Sequence, residues 1–428
     1  MSNSTNQLPA MTMEQGLAVE HILELLDGDA RSIVLAGYAG TGKTFCLQHL
    51  IKKVRGRVIF TAPTNKAVRV LKETLTRDDY KPECKTIYSL LGLRLEPSGE
   101  VKELAAPEEE VDLSLYKLVV VDEGSMVNAQ LLKFIKQAQA LCPNVRFLFI
   151  GDPAQLPPVK EVTSPIWKAA EATITLTNVV RNAGPVLEFV TSIRKLVDHP
   201  APNFKLVSNN DGETGIWKLP AADFKAKLAE AANLGRLSTP GDAKVIAWRN
   251  VTVDAVNRFV RAQLFNVAAE APWLVGDRVV LTEPATDLEN KPMAPTDEEG
   301  TITRVEEQWH PTWSEFKVWR INITSDSNLP LTFFVLHQAS EVAAKRKLED
   351  LAAEARVAPR KWGAFWEFKD AFHKLRHSYA ITAHRSQGST YNAAFVNWQD
   401  ILLNRNKPEA MRCLYVACSR PKKELYLG

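Results

Sequence analysis

The chain has 428 residues, 45% of them hydrophobic and 24% charged, with a formal net charge of +3. That length exceeds one ordinary core and suits two or three domains of a soluble globular protein, and the near-balanced charge excludes a globally basic field, so any basic groove has to be local. No apolar run approaches the ~20 residues of a membrane span, and the five cysteines, Cys46, Cys84, Cys142, Cys413 and Cys418, form no C-x-x-C pair, which argues against a disulfide frame or zinc site and for a reducing, cytoplasmic compartment.

Residues 1–12 are rich in Ser, Asn and Thr and carry no basic-then-apolar signal pattern, so a disordered tail is expected. Ile33-Val34-Leu35-Ala36 then reads as a buried strand, and Gly37-Tyr38-Ala39-Gly40-Thr41-Gly42-Lys43-Thr44 after it fits G-x-x-x-x-G-K-[ST]. The glycines let the backbone turn its N–H groups toward an anion, Lys43 can reach β- and γ-phosphates, and Thr44 can ligate Mg²⁺. Phe45 to Lys53 reads as a helix whose N-terminal end adds to the anion site. A nucleotide and its metal also need carboxylates at the end of a neighbouring strand. Leu118-Val119-Val120-Val121 is such a strand, and it ends in Asp122, a metal ligand by this reading, and Glu123, which would polarise the attacking water.

Before that strand, residues 94–116 interrupt the α/β alternation with Pro97-Ser98-Gly99 and an acidic run, which predicts a small hairpin standing off the sheet. After it, Phe147-Leu148-Phe149-Ile150 is another buried strand running into Gly151-Asp152-Pro153-Ala154-Gln155-Leu156-Pro157-Pro158. Strand–helix alternation resumes from Pro185 to about Glu270, with Val245 to Trp248 as a strand and a helix from about Val251 to Phe265, and again from Ser378 to the end. In between, Gly276–Leu281, Gly300–Val305, Phe316–Ile321 and Leu331–Val335 are short alternating strands that suggest a small antiparallel barrel. Residues 341–376 read as two helices broken near Pro359, with Trp362, Phe365, Trp366, Phe368 and Phe372 mostly at helical spacing. These rings fit one buried helix face better than base stacking.

The segment Gly-Asp-x-x-Gln-Leu-Pro-Pro after an Asp-Glu resembles motif III of superfamily 1 helicases, and the remaining motifs fall into register with it. Thr61 to Ala67, continued by Val68 to Leu71, resembles motif Ia, and Thr86 to Leu91 resembles motif Ib. Leu176 to Arg181 is similar to motif IV, Thr382 to Ser389 to motif V, and Leu414 to Arg420 to motif VI. The set covers nearly the whole chain and is most similar to the Dda-type members of the RecD-like, 5′-to-3′ branch.

The resemblance implies an α/β fold of two RecA-like P-loop domains with parallel sheets, the first (13–93 and 117–184) carrying the hairpin (94–116) and the second (185–270 and 377–428) an SH3-like barrel with a helical extension (271–376). It implies Gln155 as a γ-phosphate sensor, Gln15 as the adenine reader and Gln387 and Gly388 beside the nucleotide. Positive charge brought by a second domain accelerates hydrolysis at a phosphate loop, and Arg181 and Arg420 are placed for that role. Nucleic-acid contacts fall to Pro63, Thr64, Asn65, Lys66, Thr86, Tyr88, Asn250, Thr382, His384 and Arg385, with Trp248 read either as a base contact or, preferentially, as core. Arg194 stands as a backbone contact of weaker context. ATP and Mg²⁺ are the expected cofactors, single-stranded DNA and strand junctions the expected partners, with replication or single-strand-binding proteins beside them; a monomer without membrane contact is expected. Two departures stand out. Val180 takes the place of the base-stacking Tyr before the motif IV arginine, and residues 94–115 contain no Phe, Tyr or Trp, which leaves Leu104 or Val101 as the strand-separating wedge. Weakly unwinding DNA or RNA translocation, and a non-enzymatic assembly factor, are the alternative readings.

Overall fold

The computed structural model describes residues 10–77, 80–107, 110–178, 184–198, 208–211, 214–265 and 271–428. The chain first forms β1 (Ser32–Gly37), β2 (Val58–Ala62) and β3 (Glu83–Thr86), the hairpin β4 (Arg94–Ser98) and β5 (Val101–Ala105) follows, and β6 (Leu118–Val121), β7 (Arg146–Gly151) and β8 (Ala172–Leu176) complete a six-stranded sheet in the order β3-β2-β6-β7-β1-β8. Every pairing within it is parallel. Both faces of the inner strands β2, β6, β7 and β1 are covered, which is why they are apolar without alternation, whereas the edge strands β3 and β8 are mixed: Val34, Val119, Val121, Phe147 and Phe149 pack into one core, while Ile33, Leu35, Phe60, Val120, Leu148 and Ile150 pack into the other. In a parallel sheet all carboxyl ends lie along one edge. Gly37, Ala62, Thr86, Asp122 and Asp152 therefore come together although 115 positions separate the first from the last.

A second sheet is built from β9 (Asn209–Asn210), β10 (Gly215–Lys218), β11 (Ala243–Ala247) and three strands near the C-terminal end, β19 (Ala380–Thr382), β20 (Tyr391–Val396) and β21 (Pro421–Leu427), in the order β19-β11-β20-β21-β10-β9. Only β9 runs antiparallel. Its strands too divide between two cores, Ile246, Ala394, Val396 and Leu425 on one face and Val245, Ala247, Phe395 and Tyr426 on the other. Trp248 is half-buried against the first of these cores, as the packing reading preferred.

Between β11 and β19 the chain forms β12 (Arg278–Leu281), the ribbon β13 (Ala285–Thr286) and β14 (Pro292–Ala294), then β15 (Glu299–Trp309), β16 (Lys317–Ser325), β17 (Pro330–Leu336) and β18 (Leu375–His377). The larger sheet is antiparallel, in the order β17-β16-β15-β12-β18, around Val279, Leu281, Ile302, Ile321, Ile323 and Phe333. Among the described residues the end strands β17 and β18 are not paired with each other, but His373, just before β18, donates its N–H to the Phe334 carbonyl of β17 at 2.8 Å and accepts the Phe334 N–H at Nδ1 at 2.9 Å. Helices Glu341–Val357 and Trp362–Asp370 follow β17, with Pro359 opening the single turn between them. Phe365, Trp366 and Phe368 are buried there, as the helical spacing indicated.

The hairpin tip rests on this helical extension: Trp366 Nε1 donates to the Gly99 carbonyl at 3.1 Å, Lys102 pairs with Asp370 at 2.7 Å, and Arg356 pairs with Glu100. Leu104, one of the two wedge residues that the sequence allowed, is partly covered and away from the tip. It lies at the base of the hairpin, partly buried against the first core, with its carbonyl bonded to Gln130. Val101, beside the tip, is 57% exposed.

Candidate nucleotide site and domain cleft

The phosphate loop leaves β1 at Gly37 and enters helix Lys43–Ile51 through Gly42, which has φ +81°. An L side chain there is strained, and its Cβ would stand 2.4 Å from Gln15 Nε2. Lys43 folds back so that its ammonium donates to the Gly37 and Tyr38 carbonyls at 2.7 and 2.9 Å. Burial lowers its pKa, against the pull of Asp152, Asp122 and Glu123. The cation is thus held in the loop by weak neutral acceptors, a placement that an anionic phosphate would improve.

Asp122 follows β6, and burial together with repulsion from Glu123 pushes its pKa up to about 7. Glu123 occupies the left-handed region at φ 52°, a costly conformation for a residue with a side chain, and its N–H donates to Asp122 Oδ1 at 2.9 Å. The Thr44 hydroxyl at the start of the helix and the half-buried carboxylates of Asp122 and Glu123 offer a hard oxygen donor set that fits Mg²⁺. A divalent cation would draw the Asp122 proton off, which is the usual inversion of pKa logic at a metal.

The second core closes over this edge. Gln387 Nε2 donates to Gln155 Oε1 at 3.2 Å and to Ser125 Oγ at 3.1 Å, so the segment after β19 meets the segment after β7 directly. Gly388 (φ +74°) lies beside Glu123: a Cβ on it would be 3.9 Å from Glu123 Oε1 and 3.5 Å from Ala67 Cβ. A cleft of about 300 Å³ separates Ala39 and Gly40 on one wall from Val186, Val190, Ser419 and Lys422 on the other. Arg420 is buried at this boundary, donating to the carbonyls of Val416 (2.9 Å) and Ser389 (3.1 Å) and to Ser419 Oγ (2.8 Å). Burial lowers its pKa, and Glu123 is the leading charge acting against that. Arg181 and Val180 lie outside the described residues.

Three sequence expectations change. Gln15 is not turned to a base: its Oε1 accepts the Thr12 N–H (3.1 Å) and its Nε2 donates to the Thr41 carbonyl (3.0 Å), so the amide caps helix Met13–Asp27 and braces the loop. Lys66 is not offered to a strand. Its ammonium is 3.0 Å from Glu299 Oε1 at the start of β15, because the antiparallel insert folds back on helix Asn65–Leu75. Arg194, read as a backbone contact, instead stacks 4.3 Å over the Tyr38 ring of the phosphate loop and pairs with Asp152 at 3.3 Å.

The other strand-binding candidates are spread along the upper edge of both sheets. Thr64, Thr86 and Thr382 each cap a following helix through the side chain, with Asn65 exposed and Pro63 buried. Tyr88 is partly buried against the first core. His384 lies 3.6 Å from Glu409, Arg385 donates to the Thr282 carbonyl at 3.3 Å, and Asn250 accepts from Arg376 at 2.9 Å. Sequence reasoning did not single out Asp152, Ser125, Tyr415, Arg412, Lys244 or Glu299; Asp152 and Tyr415 sit inside recognised motifs, whereas Lys244 and Glu299 carry no local signal.

A family model described as an AAA domain matches residues 10–198, and one described as a UvrD-like helicase C-terminal domain matches residues 377–427. The chain is 23% identical to the ATP-dependent DNA helicase Dda of Enterobacteria phage T4, over 97% of this chain and 98% of that one. It is 34% identical over 183 residues to the ATP-dependent RecD2 DNA helicase of Deinococcus radiodurans, covering 41% of this chain and 23% of that protein. Among solved structures it resembles a Bacteroides Pif1 helicase in complex with ADP-AlF3 and single-stranded DNA, with TM-score 0.53 and 17% identity over 97% of this chain and 92% of that one. With a phosphate loop, a strand-end Asp-Glu pair and a Gln155–Gln387 contact joining two parallel-sheet cores, the chain is similar in sequence to the Dda and RecD2 helicases and in fold to a Pif1 helicase.

Proposed function

We propose that this protein is an ATP-dependent DNA helicase that moves 5′ to 3′ along single-stranded DNA and separates duplex ahead of it. The observation that carries the reading is the direct Gln155–Gln387 bond across the cleft, 3.2 Å long. It ties the segment beside the phosphate site to the segment beside the strand-binding edge, so nucleotide state and strand grip change together.

In this mechanism Lys43 and the loop N–H groups hold the β- and γ-phosphates of ATP, while Thr44 and Asp122 would hold Mg²⁺, which would supply charge neutralisation at the phosphates when bound. Glu123, fixed by its strained backbone, accepts hydrogen bonds from the attacking water. Arg420 sits with neutral acceptors near Glu123 and turns to the developing phosphoryl charge as the cleft closes. Gln155 passes that closure to Gln387 and so to the Thr382–Arg385 turn, which with the Thr64 and Thr86 turns grips the backbone. Such contacts position a strand without reading its sequence. Lys66, held by Glu299, serves the junction of the domains.

Removing the loop cation has a defined cost. Lys43→Ala loses a preorganised electrostatic contact on the phosphates, and turnover with saturating DNA should fall on the order of 10²-fold or more; near-normal hydrolysis by the folded variant would mean that the loop does not hold the phosphates. Polarity is tested by unwinding of duplexes with a single tail. Strand separation should require a 5′ tail, and efficient separation from a 3′ tail alone would reverse the assigned direction.

A further inference from the structure

Tyr415 lies on helix Lys407–Cys418 of the second core, 1% exposed. Its hydroxyl accepts the N–H of Ala39 in the phosphate loop at 3.1 Å and donates to Asp152 Oδ2. Asp152 is fully buried, and its other oxygen accepts from the Ala154 N–H (2.9 Å) and Arg194 Nε (3.3 Å). One hydroxyl therefore joins three segments: the loop after β1, the loop after β7 and the C-terminal helix of the facing core.

The loop after β7 is held a second time by the same helix. Arg412, one turn before Tyr415, donates to the carbonyls of Pro153 and, at 2.9 Å, Gln155. The Gln155 N–H in turn donates to the Asp152 carbonyl at 3.0 Å. A displacement of Asp152 is thereby passed to Gln155, and from Gln155 to Gln387.

We propose that Tyr415 is a positioning residue for ATP turnover, whose hydroxyl gives up the Ala39 N–H to an incoming phosphate and resets Asp152 and Gln155 as it moves. The physical basis is competition for one donor. A phosphate oxygen is a stronger acceptor than a neutral phenol, and a phosphate loop works by aiming its N–H groups at such an oxygen. Losing the Ala39 bond frees the phenol to follow Asp152. A tyrosine present only to satisfy Asp152 Oδ2 needs its hydroxyl as a donor alone, and would not also have to accept from a phosphate-loop N–H on the facing domain.

This inference rests on the helicase reading, and the test separates the two. Steady-state ATPase of wild type and Tyr415→Phe is measured against ATP concentration, with and without saturating single-stranded DNA. Phenylalanine keeps the ring packing and deletes the bridge. The variant should show a lower KM for ATP, since the hydroxyl no longer competes for the Ala39 N–H, together with a DNA-stimulated kcat lower by about tenfold, the scale of one hydrogen bond to a charged group. Tyr379→Phe is the control. It removes another buried hydroxyl, one that accepts from the Arg278 N–H (3.0 Å) and donates to Asp277 (3.1 Å), and it should lower thermal stability without this split. Should Tyr415→Phe not fold, Asp152→Asn, which weakens the link to Asp152 but leaves the hydroxyl on the Ala39 N–H, must give the lower kcat without the lower KM. Wild-type KM and kcat in the folded variant would overturn the positioning role, whereas a wild-type protein with no DNA-dependent ATPase would overturn the helicase reading itself.

Discussion

Arg420→Ala should depress DNA-stimulated ATP turnover by about 10³-fold or more, the range associated with losing an arginine brought to a transferring phosphoryl group. The guanidinium is buried at the boundary of the two cores, and Glu123 is the leading charge that favours its ionised form. Its bonds go to two carbonyls and a hydroxyl. Neutral acceptors hold an arginine in place without cancelling its charge, so the full field remains available to the cleft. Affinity for single-stranded DNA without nucleotide should stay near wild type, because the strand-binding candidates lie along the edge formed by Thr64, Thr86 and Thr382. Arg420→Lys separates charge from geometry: it keeps the cation, loses the planar fork and should recover only part of the rate. The measurement is single-turnover hydrolysis beside fluorescence anisotropy of labelled DNA. Normal turnover with weakened DNA binding would move Arg420 from the phosphates to the strand.

The second large effect concerns stability. Glu299 meets Lys66 of the first core at 3.0 Å, Lys244 of β11 in the second at 2.8 Å, and Arg278 of β12 at 3.6 Å. Arg278 is further held by Asp326 through two bonds of 2.6 and 2.8 Å, and Arg69 of the first core pairs with Glu298 at 2.7 Å. Burial alone would raise the Glu299 pKa; Lys244 and Lys66 override it and hold the carboxylate well below its usual range. Glu299→Ala leaves the buried Lys244 ammonium, the partly buried Lys66 ammonium and a buried guanidinium without their shared counter-charge. Breaking one partner of a buried charge cluster costs about 3 to 5 kcal/mol, and the apparent Tm should fall accordingly.

The pH dependence of that junction has a definite sign. A carboxylate whose folded pKa is depressed contributes stability that is complete above its unfolded value, here 4.5, and is lost as pH falls below that value toward the folded pKa. Wild type should therefore lose thermal stability on acidification below about pH 4.5 more steeply than Glu299→Ala, which has already lost the group. Differential scanning calorimetry across that range checks both statements. An unchanged Tm in the variant at neutral pH would show that the three cations do not depend on Glu299.

Much of the fold was legible because parallel strands covered on both faces read as uninterrupted apolar runs, and the chemistry sits where those runs end. Ile33–Ala36 leading to Gly37 and Leu118–Val121 leading to Asp122 are local signals, each contained in about ten residues. What was not legible comes from docking. Lys66, one position into a helix after a capping Thr64, has the look of a phosphate contact; its partner Glu299 is 233 positions away, in an insert whose placement no local pattern fixes. Gln15 is an adenine reader only by the resemblance, which places it ahead of the phosphate loop, and a capping box with Thr12 turns its amide inward. Arg194 lies on an amphipathic helix and gives no sign that it reaches Tyr38 and Asp152. Leu104 and Val101 differ by three positions, and only the packing of the hairpin base tells the covered one from the exposed one.

Steady-state hydrolysis of ATP by the wild-type protein, measured with Mg²⁺ in the absence and presence of saturating single-stranded DNA, addresses the coupling of the two cores most directly. If the Gln155–Gln387 contact joins nucleotide site to strand-binding edge, DNA should raise kcat well above the DNA-free rate, and Arg420→Ala should abolish that rise. A rate that is the same with and without DNA would contradict the account.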